Sequence, residues 1–249
     1  MAREKCPPMA SRPEARSALF LTPALLGSGP GVVARPMTAM STHSVLPQPG
    51  GVLNRLTPPL SAPPTRPGEE TWPVPDEAAC FDLWDRYEML PNIRAHSLLV
   101  ARVATWLAER GRDKGFAVDP TLVRASALLH DLAKTYTIRF GGNHSQLGAS
   151  WVMEHTGNPR IAQGVMHHVF WPFEAELGRD FAPLCVLYGD KRVAHDRLVC
   201  MADRFRDLLE RYGASEAIRA RIEATHEQGR QIEELFSQAL EVDLTCASF

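Results

Sequence analysis

The 249-residue sequence lacks several features that mark specialised classes of protein. It has no run of about 20 apolar residues, so no segment is predicted to cross a bilayer. The five cysteines, at positions 6, 80, 185, 200 and 246, form no Cys-x-x-Cys pair, which argues against a disulfide framework and a thiolate zinc site. There is no GxGxxG fingerprint and no P-loop, and a net charge of −2 provides no basic footprint for long nucleic acid. A reducing cytoplasm is the predicted location.

Proline is scarce everywhere except at the start of the chain. Of the 20 prolines, 15 lie in residues 1–75 and only five in the remaining 174 residues. Residues 1–75 show no sustained period of 2 or 3.6, so they are predicted to be a disordered Pro-rich tail, and residues 76–249 are predicted to be a folded domain. A polyproline ligand for a partner domain is the functional alternative for this tail, but no strong PxxP register favours it.

The apolar stretch ALFLTPALL, at residues 18–26, has three interpretations. A cleaved export signal is disfavoured because the stretch is short, contains Pro23 and follows Glu4 and Glu14. The other two are a passive tail and an upstream extension that is not translated, with Met37, Met40 or Met89 as the true start. Mass spectrometry of the native N-terminus distinguishes the three.

From residue 76 onward, the spacing of apolar residues favours helices. Helices are predicted over residues 76–88, 93–109, from 120 through 132, 145–155, 159–168, 184–212 and 215–240. Asp76 and the pair Asp119-Pro120 are predicted to start helices, whereas Pro91, Gly111 and Gly157 are predicted to end them. Residues 184–188 also fit a strand, but their continuation keeps helical spacing. An all-α domain is therefore predicted.

Histidine and aspartate form an ordered set in this domain. The set is His96, His130-Asp131, His144, His167-His168 and Asp190, with each group on a different predicted helix or loop. Imidazole and carboxylate ligands suit Fe, Mn, Zn, Co or Ni, and converging helices are a known way to build a dinuclear site. Asp190 follows an apolar stretch and is preferred to its rivals Asp196 and Asp203. The set predicts a metal site.

The His130-Asp131 doublet follows Ala127-Leu128-Leu129 and is predicted to lie on a core-facing helix. A buried Asp131 carboxylate needs a counter-charge, which a divalent cation would supply. Lys134 is predicted to share that helical face, where its ammonium could contact a phosphoryl oxygen.

Five segments carry these residues in a fixed order: RAHSLLVARVA, ALLHDLAKT, NHSQLGA, VMHHVFWP and LYGDKRV. Over roughly residues 92–203 they resemble the HD-domain superfamily of metal-dependent phosphohydrolases. The resemblance implies an HD-type helical bundle with two divalent ions, Fe, Mn, Co or Ni. One ion would be held by His96, His130, Asp131 and Asp190 and the other by His144 and His168, with Asp131 bridging.

This six-ligand pattern is similar to the YqeK-like subgroup, which hydrolyses diadenosine tetraphosphate. The chain has HDLAK, which fits the HDxAK form of the subgroup's motif and not its HDIG form. It also has His167-His168 where the subgroup offers one histidine. We take His168 as the ligand because it lies directly before the loop, with His167 in reserve.

The resemblance implies hydrolysis of a phosphate ester or anhydride of a small nucleotide-like molecule by a metal-activated hydroxide. Asp131 and Lys134 would be catalytic, and Arg94, Lys134 and Arg192 are candidate phosphate-binding residues. A solvated helix face is the alternative for Lys191, Arg192 and Arg197. Trp171, Pro172 and Phe173 either cover the substrate or fill the core.

Two other functions remain as alternatives. One is an HD-type di-iron oxygenase, because VMHHVFWP is similar to a segment of inositol oxygenase. The other is a non-catalytic nucleotide-binding regulatory domain.

Overall fold

The structure is a computed structural model that describes residues 72–245, 247 and 249. The predicted disordered tail lies outside these residues except for residues 72–75, and so do the possible export signal and the start sites Met37 and Met40. The division of the chain at residue 75 therefore stays a prediction.

The described residues are mostly helical, as predicted, and include one short antiparallel ladder. The elements are α1 (Glu77–Arg86), α2 (Pro91–Asp113), α3 (Pro120–Leu129), α4 (Lys134–Phe140), α5 (His144–Thr156), α6 (Pro159–His167), α7 (Leu177–Lys191), β1 (Val193–Ala194), β2 (Arg197–Leu198), α8 (Met201–Tyr212) and α9 (Glu216–Leu240). The all-α class is confirmed. None of the helices among the described residues has both the length and the hydropathy needed to span a bilayer.

Local capping chemistry explains where several of these helices begin and end. The Asp76 carboxylate accepts a hydrogen bond from the Ala79 amide, and Asp119 caps α3 in front of a proline at its first position. Asn143 and Asn158 cap α5 and α6 in the same way. Gly157 ends α5 with a φ of 62°, a left-handed conformation that costs glycine little.

Two predicted helix ends are wrong. Pro91 does not terminate α1, which ends at Arg86; it is the first residue of α2, where its fixed φ and missing N–H are tolerated. Gly111 lies inside α2, where a larger residue would not fit, because an added Cβ would come within 2.1 Å of the Phe181 ring. The glycine serves the contact between α2 and α7.

One predicted helix ends early, and another is divided. A tight turn at residues 130–133, closed by the bond from Lys134 N to Asp131 O (2.9 Å), separates α3 from α4, so the His130-Asp131 doublet is not within a helix. Residues 184–212 contain the second half of α7, the β1–β2 hairpin and α8. His195, at the tip of the hairpin, has a φ of 58°.

The core lies where α2, α3, α6 and α7 pack together. Val100, Leu129, Val165 and Leu184, one from each helix, are fully buried. At Gly189 on α7, an added Cβ would lie 3.1 Å from the Val100 carbonyl oxygen, so α2 and α7 approach closely there. This contact places the end of α7 beside the first half of α2.

Candidate metal centre

Four helices or their ends, one turn and the start of a fifth helix bring the six predicted ligands together. His96 comes from α2 and Asp190 from the end of α7, while His130 and His168 are the C-cap residues of α3 and α6. Asp131 lies in the turn after α3, and His144 begins α5. Apart from His144, which is partly exposed, these side chains are buried.

The Asp131 carboxylate lies at the centre of the cluster. Its Oδ2 is 3.4 Å from His130 Nε2 and 3.9 Å from His96 Nε2. Its Oδ1 is 3.4 Å from His144 Nε2 and 3.6 Å from His168 Nε2. Two groups of potential ligands therefore share Asp131, one with His96 and His130 and the other with His144 and His168.

Asp190 extends the first of these groups. Its Oδ1 lies 3.1 Å from His96 Nε2 and 3.9 Å from His130 Nε2. Its rivals lie elsewhere: Asp196 is exposed in the hairpin, and Asp203 accepts from the Cys200 thiol. Asp190, unlike these two aspartates, thus lies at the cluster.

Main-chain carbonyls orient three of the imidazoles. His130 Nδ1 and His168 Nδ1 each lie 2.7 Å from the carbonyl of the residue three positions earlier, Ala127 and Val165. His96 Nδ1 lies 3.1 Å from the His195 carbonyl oxygen. Because a carbonyl only accepts, the Nδ1 atoms of His130 and His168 donate to these carbonyls, and Nε2 of the neutral ring then presents a lone pair to the cluster. His96 lies between two acceptors, the His195 carbonyl and Asp190 Oδ1.

Two buried polar atoms of the cluster lack the hydrogen bonds that buried polar atoms normally make. Among the described residues, His130 Nε2 and Asp131 Oδ1 are buried without a hydrogen-bond partner, and such atoms are costly unless something binds them. His144 Nε2 and His168 Nε2 lie only 3.1 Å apart. These donor atoms, nitrogen and carboxylate oxygen from separate elements, fit divalent cations such as Fe, Mn, Co or Ni.

Most of these side chains have the protonation state that a metal requires. Burial would raise the pKa of Asp131, but His130 and Lys134 hold it well below its usual range. Burial lowers the pKa of His144 to about 4 and also lowers that of His168. The pKa of His130 is raised, because Asp131 outweighs the effect of burial. A bound cation would take the place of that proton.

Of the two adjacent histidines, only His168 faces the cluster. The His167 ring packs edge-on against Trp171 and Phe173, with centroids 5.3 and 5.8 Å away. Trp171 is 1% exposed, and its main chain exchanges hydrogen bonds with the Gln228 side chain. For Trp171 the core interpretation is therefore right, and the lid interpretation is not supported.

The three predicted phosphate-binding residues have different surroundings. Lys134 Nζ lies 2.7 Å from Asp131 Oδ2, at the cluster. Arg94 donates to the Trp84 and Met89 carbonyls and pairs with Asp85, so its guanidinium is bound to the end of α1.

Arg192 is a structural residue rather than a surface cation. It is buried, and all three of its nitrogens donate within the protein, to Tyr188 Oη and to the carbonyls of Val199, Leu244 and Ala247. The phosphate-binding role predicted for Arg94 and Arg192 has no support in these contacts, because the donors of both are used.

Lys191 is a buried residue whose place at the site the sequence did not reveal. Its Nζ donates to Asp190 Oδ2 at 2.8 Å and to the His168 carbonyl at 3.0 Å, so the side chain links the two ligand groups. The interpretation of these residues as a solvated helix face is wrong for Lys191 and Arg192, because both are buried. Arg197 is exposed. In the sequence, the burial of Lys191 could have been inferred from its position at the end of an apolar helix, directly after the predicted ligand Asp190.

The cluster is accessible from one edge. The His144 and Lys134 side chains are 27% and 36% exposed, whereas those of His130 and Asp131 are fully buried. A small molecule would therefore reach the site past His144 and Lys134.

Comparison with known proteins finds one matching domain family and relatives that match over part of their length. Residues 93–207 match the family model described as the HD domain. A ribonuclease Y of Dehalococcoides mccartyi is 33% identical over 79 residues, 32% of this chain and 14% of that protein. A ribonuclease Y of Opitutus terrae is 25% identical over 83 residues, 33% of this chain and 15% of that protein.

A further relative is the protein named Uncharacterized protein MJ0778 of Methanocaldococcus jannaschii. It is 34% identical over 116 residues, 43% of this chain and 66% of that protein. The chain spans only 14–15% of the length of the two ribonucleases. No solved structure matched the chain.

Proposed function

We propose that this chain, which contains an HD domain of the metal-dependent phosphohydrolase superfamily, hydrolyses a phosphate ester or anhydride of a small nucleotide-like molecule. The observation that carries the proposal is the buried Asp131 carboxylate, each of whose oxygens faces two imidazole nitrogens. A carboxylate in this arrangement can bridge two cations. The six-ligand, dinuclear form is therefore the one we propose.

His96, His130, Asp131 and Asp190 would hold one divalent ion, and Asp131, His144 and His168 the other. Such ions, when bound, lower the pKa of a coordinated water toward neutrality and so supply a nucleophile. The chain fixes the ligands in advance: carbonyl acceptors hold three imidazoles, and Lys191 holds Asp190. This rigidity lowers the cost of assembling the charged site.

Lys134 is the residue that we propose to contact the substrate from the open edge. An ammonium group has three N–H donors, and one of them is used by Asp131. Burial disfavours its charge, but Asp131 outweighs burial and raises the pKa of Lys134, so the ammonium stays protonated at neutral pH. Its remaining donors can bind a phosphoryl oxygen and stabilise charge that develops there.

Two observations bear on the substrate class. The ribonuclease Y relatives are, by name, ribonucleases, but their likeness covers a small part of those proteins. The net charge of −2 does not favour a long nucleic acid. Mononucleotides, dinucleotide polyphosphates, cyclic phosphodiesters and a short oligonucleotide therefore form the panel to be tested.

The test begins with metal analysis of anaerobically purified protein, followed by this panel with Mn, Co, Ni and Fe(II). Asp131→Ala is expected to lose bound metal and all phosphatase and phosphodiesterase activity, because both ligand groups share this residue. Asp196→Ala, which removes an exposed carboxylate in the hairpin, is the control and should keep both. Full activity in Asp131→Ala would contradict the metal mechanism.

The same experiment separates the alternatives. Oxygen uptake with inositol or an organophosphonate would favour the oxygenase, whereas hydrolysis that persists anaerobically with Mn excludes a need for oxygen. Bound nucleotide without turnover under any metal would favour a regulatory domain.

A further inference from the structure

The β1–β2 hairpin has an unusual backbone conformation at its tip. Ala194 pairs with Arg197, so the hairpin turns through two residues, His195 and Asp196. His195 has a φ of 58°, whereas Asp196 does not have a positive φ. A positive φ at the first of two turn residues is typical of a type II′ turn, in which glycine usually occupies this position. The His195 side chain is exposed, so its packing does not account for this conformation.

The main chain of His195, by contrast, contacts the candidate metal centre. Its carbonyl oxygen lies 3.1 Å from His96 Nδ1, while Asp190 Oδ1 lies 3.1 Å from the other ring nitrogen, Nε2. An imidazole that binds a cation through Nε2 carries its proton on Nδ1, and an acceptor at Nδ1 fixes the orientation of the ring. The His195 carbonyl is that acceptor for His96.

His96 obtains its acceptor in a different way from the other two oriented histidines. His130 and His168 follow the ends of their helices and contact carbonyls three residues back. His96 lies in the interior of α2, where main-chain carbonyls accept from amides of the same helix. Its acceptor therefore comes from the hairpin, 99 residues away in the chain.

The stem of the hairpin is fixed to the domain. Val199 N donates to the Arg192 carbonyl at 2.9 Å, and Arg192 Nε donates to the Val199 carbonyl at 2.9 Å. Arg192 is buried and also donates to the Ala247 carbonyl. Because the stem is held in this way, the conformation of the turn decides where the His195 carbonyl points.

We propose that the β1–β2 hairpin positions the ligand His96, and that the positive φ of His195 directs its carbonyl oxygen at the His96 ring. This inference rests on the proposed metal-dependent function and makes His195 a positioning residue that acts through its main chain. Rotation about the N–Cα bond of His195 moves its carbonyl oxygen, so a residue that avoids positive φ would withdraw the acceptor. An uncommon backbone conformation of this kind is characteristic of functional sites, where the surrounding structure maintains it.

The experiment titrates Mn into the metal-free full chain by calorimetry and records the visible absorption spectrum of the Co-loaded protein, which depends on the ligand geometry around the ion. His195→Val should weaken Mn binding by about 10- to 100-fold, the effect typical of losing a group that orients a metal ligand. The reason is that a β-branched residue disfavours a positive φ. The same variant should also change the Co spectrum. His195→Gly removes the imidazole but adopts a positive φ readily, so it should keep both the Mn affinity and the Co spectrum.

Asp196→Val is the matched control, because it places the same side chain at the neighbouring exposed turn residue, which has no positive φ. It should keep the Mn affinity and the Co spectrum, and a thermal melt of each variant establishes that the titrated protein is folded. Unchanged Mn binding in His195→Val, or equal weakening in His195→Gly or Asp196→Val, overturns the inference while leaving the phosphohydrolase proposal intact. If the unchanged chain neither binds Mn nor hydrolyses any member of the panel, the proposed function fails and the inference fails with it.

Discussion

Each carboxylate of the candidate metal centre has a lysine beside it. Lys134 donates to Asp131, and Lys191 donates to Asp190. The two lysines differ in exposure: the Lys134 side chain is 36% exposed and can meet a substrate, whereas that of Lys191 is 6% exposed. We therefore propose that Lys191 acts through Asp190 and His168, as a positioning residue.

Lys191→Met should weaken Mn binding by about 10- to 100-fold, the effect typical of residues that orient metal ligands. Methionine retains the length of the buried stem but leaves Asp190 Oδ2 and the His168 carbonyl without their shared donor. Calorimetric titration of Mn into metal-free protein measures the change.

The control is Arg197→Met, which removes a positive charge from the exposed hairpin nearby. Mn binding that is unchanged or tighter in Lys191→Met would mean that Lys191 is only a counter-charge. A thermal melt of each variant establishes that the protein being titrated is folded.

At the scale of elements, α3 and α6 deliver their ligands by the same local device. Each helix is followed by a C-cap histidine whose Nδ1 contacts the carbonyl three residues back, and the two imidazole rings lie 4.8 Å apart. The helix C-termini carry partial negative charge, which favours a cation nearby. The distance between the two helices therefore sets the distance between the two histidines.

That distance depends on Gly164. A Cβ at this position would lie 2.2 Å from Ser126 Oγ, which donates to the Ile161 carbonyl. Gly164→Ala should lower the free energy of unfolding by about 1–3 kcal/mol through overpacking and should also weaken Mn binding. Urea denaturation and metal titration measure the two effects.

Two variants make this test specific. Gly178→Ala, on α7, meets no atom closer than 3.9 Å and should be neutral or stabilise by up to about 1 kcal/mol, as expected for glycine replaced in a helix. Ser126→Ala combined with Gly164→Ala removes the 2.2 Å clash and leaves the Ser126 Cβ 3.4 Å away. The double variant should recover part of the lost Mn affinity; no recovery would disprove the spacing argument.

The elements that were predicted correctly are those whose signals are local. Asp76, Asp119 and Gly157 act within a few residues of themselves, so their caps could be predicted from sequence. Gly111 was wrongly predicted to end α2, because the reason for that glycine is the Phe181 ring, 70 residues away in the chain. The hairpin was missed because a two-residue strand leaves no alternating pattern.

The same limit applies to the candidate site. The ordered spacing predicted candidate ligands that the fold brings together, since histidine and aspartate are recognisable by type. It could not reveal the burial of Lys191 and Arg192, because burial depends on which helices pack together. Arg94 and Arg192, two of the three residues predicted to bind phosphate, instead donate to acceptors within the fold, whereas Lys134 lies at the cluster.

On the scale of the whole molecule, the chain after α9 is tied to the helix that carries Asp190. Arg192 donates to the carbonyls of Leu244 and Ala247, and Phe249 packs edge-on against Trp106 on α2, with centroids 5.0 Å apart. The C-terminal residues thus contact α2 and the C-cap of α7, two of the three helices that contribute to the first ligand group. Because residues 244–249 are far from the predicted ligands in sequence, the sequence alone does not reveal these contacts.

At the other end, the described chain contacts the domain slightly before the predicted boundary. The Pro73 carbonyl accepts a hydrogen bond from Asn158 Nδ2 at 3.1 Å, and Val74 packs against the core. Asn158 caps α6, the helix that leads to His168. Residues 73 and 74, which belong to the predicted tail, therefore support the helix that positions a ligand.

A chain of residues 72–249 should accordingly keep the Mn content and the hydrolytic activity of the full chain, because every predicted ligand and the Asn158–Pro73 contact lie within it. A chain of residues 76–249 loses that contact and should melt at a lower temperature, by the few degrees expected when about 1 kcal/mol is lost from a domain of this size. Thermal melts, metal analysis and the substrate panel compare the two with the full chain. If residues 72–249 fold and bind Mn but do not turn over substrate, residues 1–71 contribute to the reaction and the assignment of the site to the helical domain alone is wrong.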